Sequence, residues 1–374
     1  MLFSRDPGGA NCVIPLVEPL KNKGYRVRLF GKDTALQKYA ERTVRDYFDI
    51  TEYLQDFAQS TILAFLQKER PDFIITGTSA DDLTEKYIWK AAERLGIPSF
   101  AILDQWLNYG IRFSPYGVSE LTEYDIDKKH PYLPTRIMVM DEYARDEMIN
   151  EGIPRSKILV GGQPHFEFLI QQKDSDGGRR LRSNLGIAES DMVITYASEP
   201  ISRTYKETDQ SEHYWGYTER TIFSDILKAL KNISPETEKK LWMIVRPHPK
   251  EDPASFADIN NPRNGNITIV VDRESTPWDL INASQLICGM SSMFLIEAVL
   301  FQKPVLSVQI GLKRQDPFIL SRRDIVKSII DGDTLYRELK SIIIRNNVPI
   351  YNFAIIKEPI ENIIRHMESF LCQN

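Results

Sequence analysis

Residues 1–30 read MLFSRDPGGANCVIPLVEPLKNKGYRVRLF, and the order of elements in this stretch decides the fold. Residues 1–4 read as a short strand. Asp6-Pro7-Gly8-Gly9-Ala10-Asn11 forms a turn, residues 13–23 carry apolar side chains at helical spacing, Gly24 ends that helix, and residues 25–30 alternate like a second strand. The β-loop-α-β rhythm then repeats, with helices predicted over 61–68, 83–95 and 142–151 and strands over 72–76, 99–103, 137–140 and 158–160. Repeated βα units predict a parallel sheet covered by helices.

A polar stretch, residues 171–182, interrupts the rhythm, and a domain boundary is expected between Gln163 and Ser183. A new series follows: strands over 192–197, 240–245, 267–271, 286–288 and 305–308, and helices over 218–230, 277–283 and 293–300. Residues 359–371 are read as a last helix. The fold class is therefore α/β, with two Rossmann-like αβα sandwiches in tandem. At 374 residues the length agrees, since a domain averages roughly 150 residues.

Apolar residues make up 42 % of the chain and charged ones 26 %, the profile of a globular protein rather than a disordered one. Lys and Arg number 47 against 52 Asp and Glu, so there is no cationic field to recruit nucleic acid, and any phosphate must be held locally. Cys12, Cys288 and Cys372 are too few and too scattered for a disulfide framework or a zinc site, which favours a reducing compartment. No transmembrane helix or signal peptide is expected, and the predicted location is the cytoplasm, with peripheral attachment to the inner face of the membrane left open.

Chemistry-bearing residues stand where strands end. Gly8 and Gly9 let the backbone approach a ligand, and Asp6 faces the crevice in which open α/β sheets bind. A tight turn explains the glycines equally well. Asp81 and Asp82 follow another strand and are read as a cap for the helix at Leu83; no third acidic ligand accompanies them, so no metal is expected. Asp104, in Leu103-Asp104-Gln105-Trp106-Leu107-Asn108-Tyr109, sits among amides and aromatics that suit either a sugar ring or the core. Ser198 and Glu199 leave the first strand of the second domain. The tyrosine-rich stretch 205–217 behind them is read as a mobile loop, either a lid or a surface insertion.

Val245-Arg246-Pro247-His248-Pro249-Lys250-Glu251 is the most informative segment. A strand ends in a turn whose two prolines fix the direction of the imidazole, and Arg246, His248 and Lys250 suit a diphosphate. In Gly289-Met290-Ser291-Ser292-Met293-Phe294-Leu295-Ile296-Glu297, two hydroxyls open a helix whose free N–H groups attract phosphate. One serine is an ordinary N-cap residue; the second and Glu297, an ionisable residue on an apolar helix, call for another partner, such as the hydroxyls of a ribose.

The order of a basic His-Pro turn, a serine pair about forty residues later, a helix carrying Glu297-Ala298, and then Lys303-Pro304-Val305-Leu306 resembles the C-terminal half of GT-B glycosyltransferases. It is most similar to bacterial sialyl- and polysialyltransferases with His-Pro and Ser-Ser motifs and to CDP-glycerol glycerophosphotransferases, and more distantly to UDP-N-acetylglucosamine 2-epimerases. The resemblance implies an N-terminal acceptor-binding domain (1–165), a C-terminal nucleotide-binding domain (183–355) and a final helix (356–374) that crosses back to the first domain. It implies a sugar transferase with a nucleotide-sugar donor, a glycan or lipid-linked acceptor and no metal or other cofactor. His248 would contact the donor phosphate and act in catalysis, with Arg246 and Lys250 beside it. Gly8, Gly9, Ser198, Glu199, Ser291, Ser292 and Met293 would line the donor site, and Glu297 would hold the ribose. Asp6, then Asp104, would be the base.

Overall fold

A computed structural model describes residues 1–205, 214–252, 254, 256, 259 and 266–371. The chain forms two compact units, one comprising Met1–Phe168 and the chain from Ala354 onward, the other Leu169–Phe353.

The first unit is built on a seven-stranded parallel sheet in the order β3-β2-β1-β4-β5-β6-β7. Its strands are β1 Leu2–Ser4, β2 Leu29–Gly31, β3 Tyr47–Asp49, β4 Ile74–Thr76, β5 Ser99–Ile102, β6 Arg136–Val139 and β7 Ile158–Val160. The central strands are buried on both faces, which is why they read as continuous apolar runs rather than alternating ones. The helix expected over 13–23 is broken. Pro7–Val13 and Val17–Asn22 are helical and Ile14–Leu16 forms a 3-10 turn, because Pro15 and Pro19 each lack the N–H that a continuous helix requires. The Pro359–Leu371 helix packs on this unit: Ile363, Ile364 and Met367 are buried with Leu2, Val13, Leu16 and Phe100. Each such side chain contributes about 1.5–3 kcal/mol of burial.

The second unit has a six-stranded parallel sheet in the order β10-β9-β8-β11-β12-β13. It comprises β8 Met192–Ala197, β9 Leu241–Arg246, β10 Ile267–Val271, β11 Leu286–Gly289, β12 Val305–Val308 and β13 Ser328–Ile329. Both sheets reverse their winding at one point, between β1 and β4 in the first and between β8 and β11 in the second, and such switch points are where these sheets bind ligands.

Two stretches differ from the sequence reading. In the polar stretch 171–182, where no element was expected, Gly177–Leu185 forms a helix whose Gly178 lies against the backbone of Asn282 and Ala283. The tyrosine-rich stretch is not simply an exposed loop. Trp215 and Tyr217 are buried in the core of the second unit, while residues 206–213 lie outside the described residues. Cys12 and Cys288 are buried free thiols, and Cys372 lies outside the described residues. Among the described residues no helix is long and apolar enough to cross a membrane.

One close approach fixes the first switch point. A Cβ at Gly77 would fall 2.6 Å from the Gly9 Cα, backbone against backbone. Gly77→Ala is therefore expected to cost about 1–3 kcal/mol, read as a lower urea midpoint with an unchanged slope. A wild-type midpoint would show that the two loops part freely.

Candidate functional site

At the first switch point, Asp6 leaves β1 with extended backbone and caps the Pro7–Val13 helix, its Oδ1 accepting from Gly9 N at 2.8 Å. Its Oδ2 takes no hydrogen bond among the described residues. The space left by Gly8 is filled by the protein itself, for a Cβ there would sit 1.9 Å from Asp104 Oδ2. The structure thus brings together the two carboxylates that the sequence offered as bases. Asp104 Oδ1 accepts from Arg112 Nη1 at 2.7 Å, and the Arg112 side chain is only 2 % exposed. The guanidinium also donates to Thr78 Oγ1 at 3.0 Å and to the carbonyls of Leu107, Asn108 and Thr78. Burial pushes the Asp104 carboxyl up, the Arg112 charge opposes this, and Asp6 adds to it.

Sequence reasoning missed Arg112, and it missed Glu85. Glu85 is 1 % exposed, accepts from the Ser79 N–H, and is pushed well above the usual range by burial and then by the Asp6 charge. Its signal was present: Glu85 shares a helical stripe with Ile88, Trp89 and Ala92, all buried. Arg112 stands between the buried Ile111 and Phe113. Asp82 accepts from Thr84 N at 2.8 Å and pairs with Lys32 at 3.0 Å, but the N-cap residue of the Thr84–Leu95 helix is Leu83, which carries no side-chain cap, so neither Asp81 nor Asp82 holds the N-cap position that the sequence reading gave them. Trp106 and Tyr109 are core residues rather than an exposed stacking surface. Trp106 Nε1 donates to Asp141 at 3.0 Å and its ring stacks on Phe166.

At the second switch point, three strand ends are joined by hydrogen bonds. Glu251, beyond β9, accepts from Ser198 Oγ at 2.7 Å and from the His248 N–H, so it ties the His-Pro turn to the end of β8. The next residue along, Glu199, accepts from Ser291 N at 2.6 Å and Ser291 Oγ at 3.0 Å, tying β8 to the turn after β11. Ser198, Glu199 and Ser291 are thus engaged with one another's loops. Ser292 occupies the N-cap position of the Met293–Leu300 helix, yet its hydroxyl makes no capping bond and, shut off from solvent, has no partner. Glu297 is 6 % exposed on the same helix. Behind the turn, Ser307 Oγ donates to Met290 O at 2.6 Å, and Gln309 bridges Ser307 and Asp316, a buried support that sequence reasoning did not find.

His248 Nδ1 accepts from the Lys250 N–H at 3.0 Å, so the neutral ring carries its hydrogen on Nε2. Burial, then Lys250 and Arg246, lowers its pKa to about 4. The turn therefore offers a fixed neutral donor and not the cationic imidazole that its basic composition suggests. Lys250 is exposed, and Arg246 lies 3.8 Å from Asp272. Because the unfolded chain holds that proton up to the ordinary 6.5, stability from this group is complete above pH 6.5 and falls as pH drops toward 4. Urea unfolding of His248→Asn between about pH 7 and pH 4 is expected to show a flatter pH dependence than wild type; equal slopes would contradict the assignment.

Among the described residues no group of three His, Cys, Asp or Glu side chains is placed to hold a metal ion.

A model of the CDP-glycerol:poly(glycerophosphate) glycerophosphotransferase family matches residues 146–314, under half of the chain. No curated protein matches it in sequence. Among solved structures, UDP-GlcNAc 2-epimerase from Methanocaldococcus jannaschii is similar at 14 % identity and a TM-score of 0.66, covering 98 % of this chain and 99 % of that one. The Neisseria meningitidis UDP-GlcNAc 2-epimerase bound to UDP-GlcNAc is similar at 16 % identity and 0.65, covering 100 % and 99 %. S. aureus MnaA with UDP is similar at 15 % identity and 0.64, covering 99 % and 96 %. At such identities the likeness is one of fold. The chain thus has the two-domain, GT-B-like α/β fold of these structures, and over residues 146–314 it is similar to the glycerophosphotransferase family.

Proposed function

We propose that the protein is a transferase that takes a sugar from a nucleotide-activated donor, CMP-, CDP- or UDP-linked, and passes it to a hydroxyl of a glycan or lipid-linked acceptor in surface polysaccharide synthesis. The observation that carries this reading is His248, whose Nε2–H is fixed by the Lys250 N–H on Nδ1 at a sheet switch point. The second unit holds the donor, with its phosphates on the imidazole N–H and the start of the Met293–Leu300 helix and its ribose on Glu297. The first unit holds the acceptor.

The acceptor oxygen attacks the anomeric carbon and gives its proton to a carboxylate of the first unit, with Asp6 preferred because its Oδ2 is unengaged and Asp104 second. The bond from carbon to phosphate oxygen breaks, and its electron pair leaves with the nucleotide. A neutral N–H donor and a helix N-terminus stabilise that charge, so the reading requires no metal ion.

The family match over residues 146–314 favours a second reading, in which the hydroxyl attacks the β-phosphorus of CDP-glycerol and CMP departs. Incubation with each donor and a polyol or glycan acceptor, followed by chromatography of the released nucleotide and mass analysis of the acceptor, separates the two. A hexose or sialic-acid mass increment supports the first, and a glycerophosphate increment with CMP supports the second. Inversion at C2 of UDP-GlcNAc with no acceptor present would contradict both and favour an isomerase.

A further inference from the structure

We propose that Glu199 is a built-in stand-in for the donor's phosphate: its carboxylate occupies the anion-binding turn before the Met293–Leu300 helix, and a nucleotide phosphate must displace it to bind. The inference rests on the reading of the second unit as a nucleotide site and adds to it what fills that site when no nucleotide is bound.

Three observations carry it. Glu199 Oε1 and Oε2 take the N–H and the hydroxyl of Ser291 at 2.6 and 3.0 Å, the two donors that the sequence offered to phosphate. The neighbouring N–H groups of Ser292 and Met290 act on the same carboxylate in the direction that favours its charge, although among the described residues only Ser291 is hydrogen-bonded to it. Beside it, the Ser292 hydroxyl stands at the N-cap with no partner, which leaves the nest one bond short of what a larger anion accepts. An ordinary structural cap would satisfy that hydroxyl or be supplied by it.

The position of Glu199 explains why displacement is open to it. Ser198 is pinned by Glu251 on one side, but Glu199 is half-buried at the end of β8, and no basic side chain is hydrogen-bonded to its carboxylate in the described structure. Burial already pushes this carboxyl up, so the contact is held by N–H groups against the cost of desolvation. Two anions do not share one nest. A phosphate that replaces the carboxylate gains the Ser291 N–H and hydroxyl and has the unpartnered Ser292 hydroxyl beside it, and releases Glu199 to water.

Calorimetric titration of CDP and UDP into wild type, Glu199→Gln and Glu199→Ala tests this, with cytidine and uridine as phosphate-free controls. Both variants are expected to bind the better diphosphate about tenfold more tightly, because the occupied state no longer reduces the competent fraction. Both should bind the nucleosides as wild type does. Equal or weaker diphosphate binding by the folded variants, beside measurable binding to wild type, overturns the inference and leaves the nucleotide site standing. Absence of binding to every form, with melting curves showing all of them folded, overturns the site and the inference together. The glutamine variant keeps the shape but, being uncharged, holds the Ser291 donors more weakly, and the alanine variant frees the nest, so a folding defect in one leaves the other as the test.

Discussion

Replacement of His248 by alanine is expected to lower transfer roughly a hundred- to a thousand-fold, the effect of deleting one preorganised donor from a site where negative charge develops. The prediction is large because the imidazole is neutral, with Nδ1 occupied and Nε2–H aimed by the two flanking prolines, so no other side chain of the turn repeats its role. The fold should survive, since the ring accepts one backbone bond, at a net cost of about 1 kcal/mol. Initial rates and nucleotide affinity measured together with the melting temperature decide the matter. Loss of rate with a melting temperature lowered by no more than a few degrees supports a functional imidazole, and wild-type rates would reduce His248 to a turn residue.

Arg112→Ala should destabilise the first unit by about 3–5 kcal/mol, the cost of leaving a buried carboxylate without its counter-ion. The guanidinium joins Asp104 to Thr78 and to the carbonyls of Leu107 and Asn108, so its loss also orphans backbone acceptors. Arg112→Lys is not expected to rescue it, because an ammonium cannot span those directions. Denaturant unfolding reads the change, and a loss under 1 kcal/mol would show that the cluster relaxes into solvent. Asp104→Asn combined with Arg112→Met should recover part of the stability, since removing both charges is less costly than removing one.

Much of the fold was readable in the sequence for definite reasons. The Pro277–Ala283 helix begins after Thr276, whose side chain caps Asp279 N, with Pro277 at the first helical position. The Met293–Leu300 helix and strand β12 are bounded by a serine pair and by Lys303-Pro304. What escaped had weaker local signals. The Thr34–Glu41 helix buries only Ala35 and Tyr39, and β3 is a half-buried edge strand of three residues, so neither shows the continuous apolar run of the inner strands. The Gly332–Ile343 helix, with Leu335, Leu339, Ile342 and Ile343 buried, was legible and simply unread.

The candidate sites were legible as positions and not as partnerships. Residues at the ends of β1, β8, β9 and β11 could be listed because loops beyond strands of a parallel sheet collect polar groups. That Glu199 meets Ser291 and Ser198 meets Glu251 depends on β8 lying between β9 and β11, a neighbour relation that no local pattern encodes. Glu85 and Glu297 are of one kind, an acid on an apolar helical stripe, and only the second was noticed.

The central claim, that a nucleotide phosphate is bound at the second switch point, is tested most directly by hydrogen exchange with and without CDP or UDP at saturation. Slowed exchange confined to residues 246–251 and 289–297, and lost in His248→Ala, is the predicted result. Protection elsewhere, or none while calorimetry records binding, would contradict it.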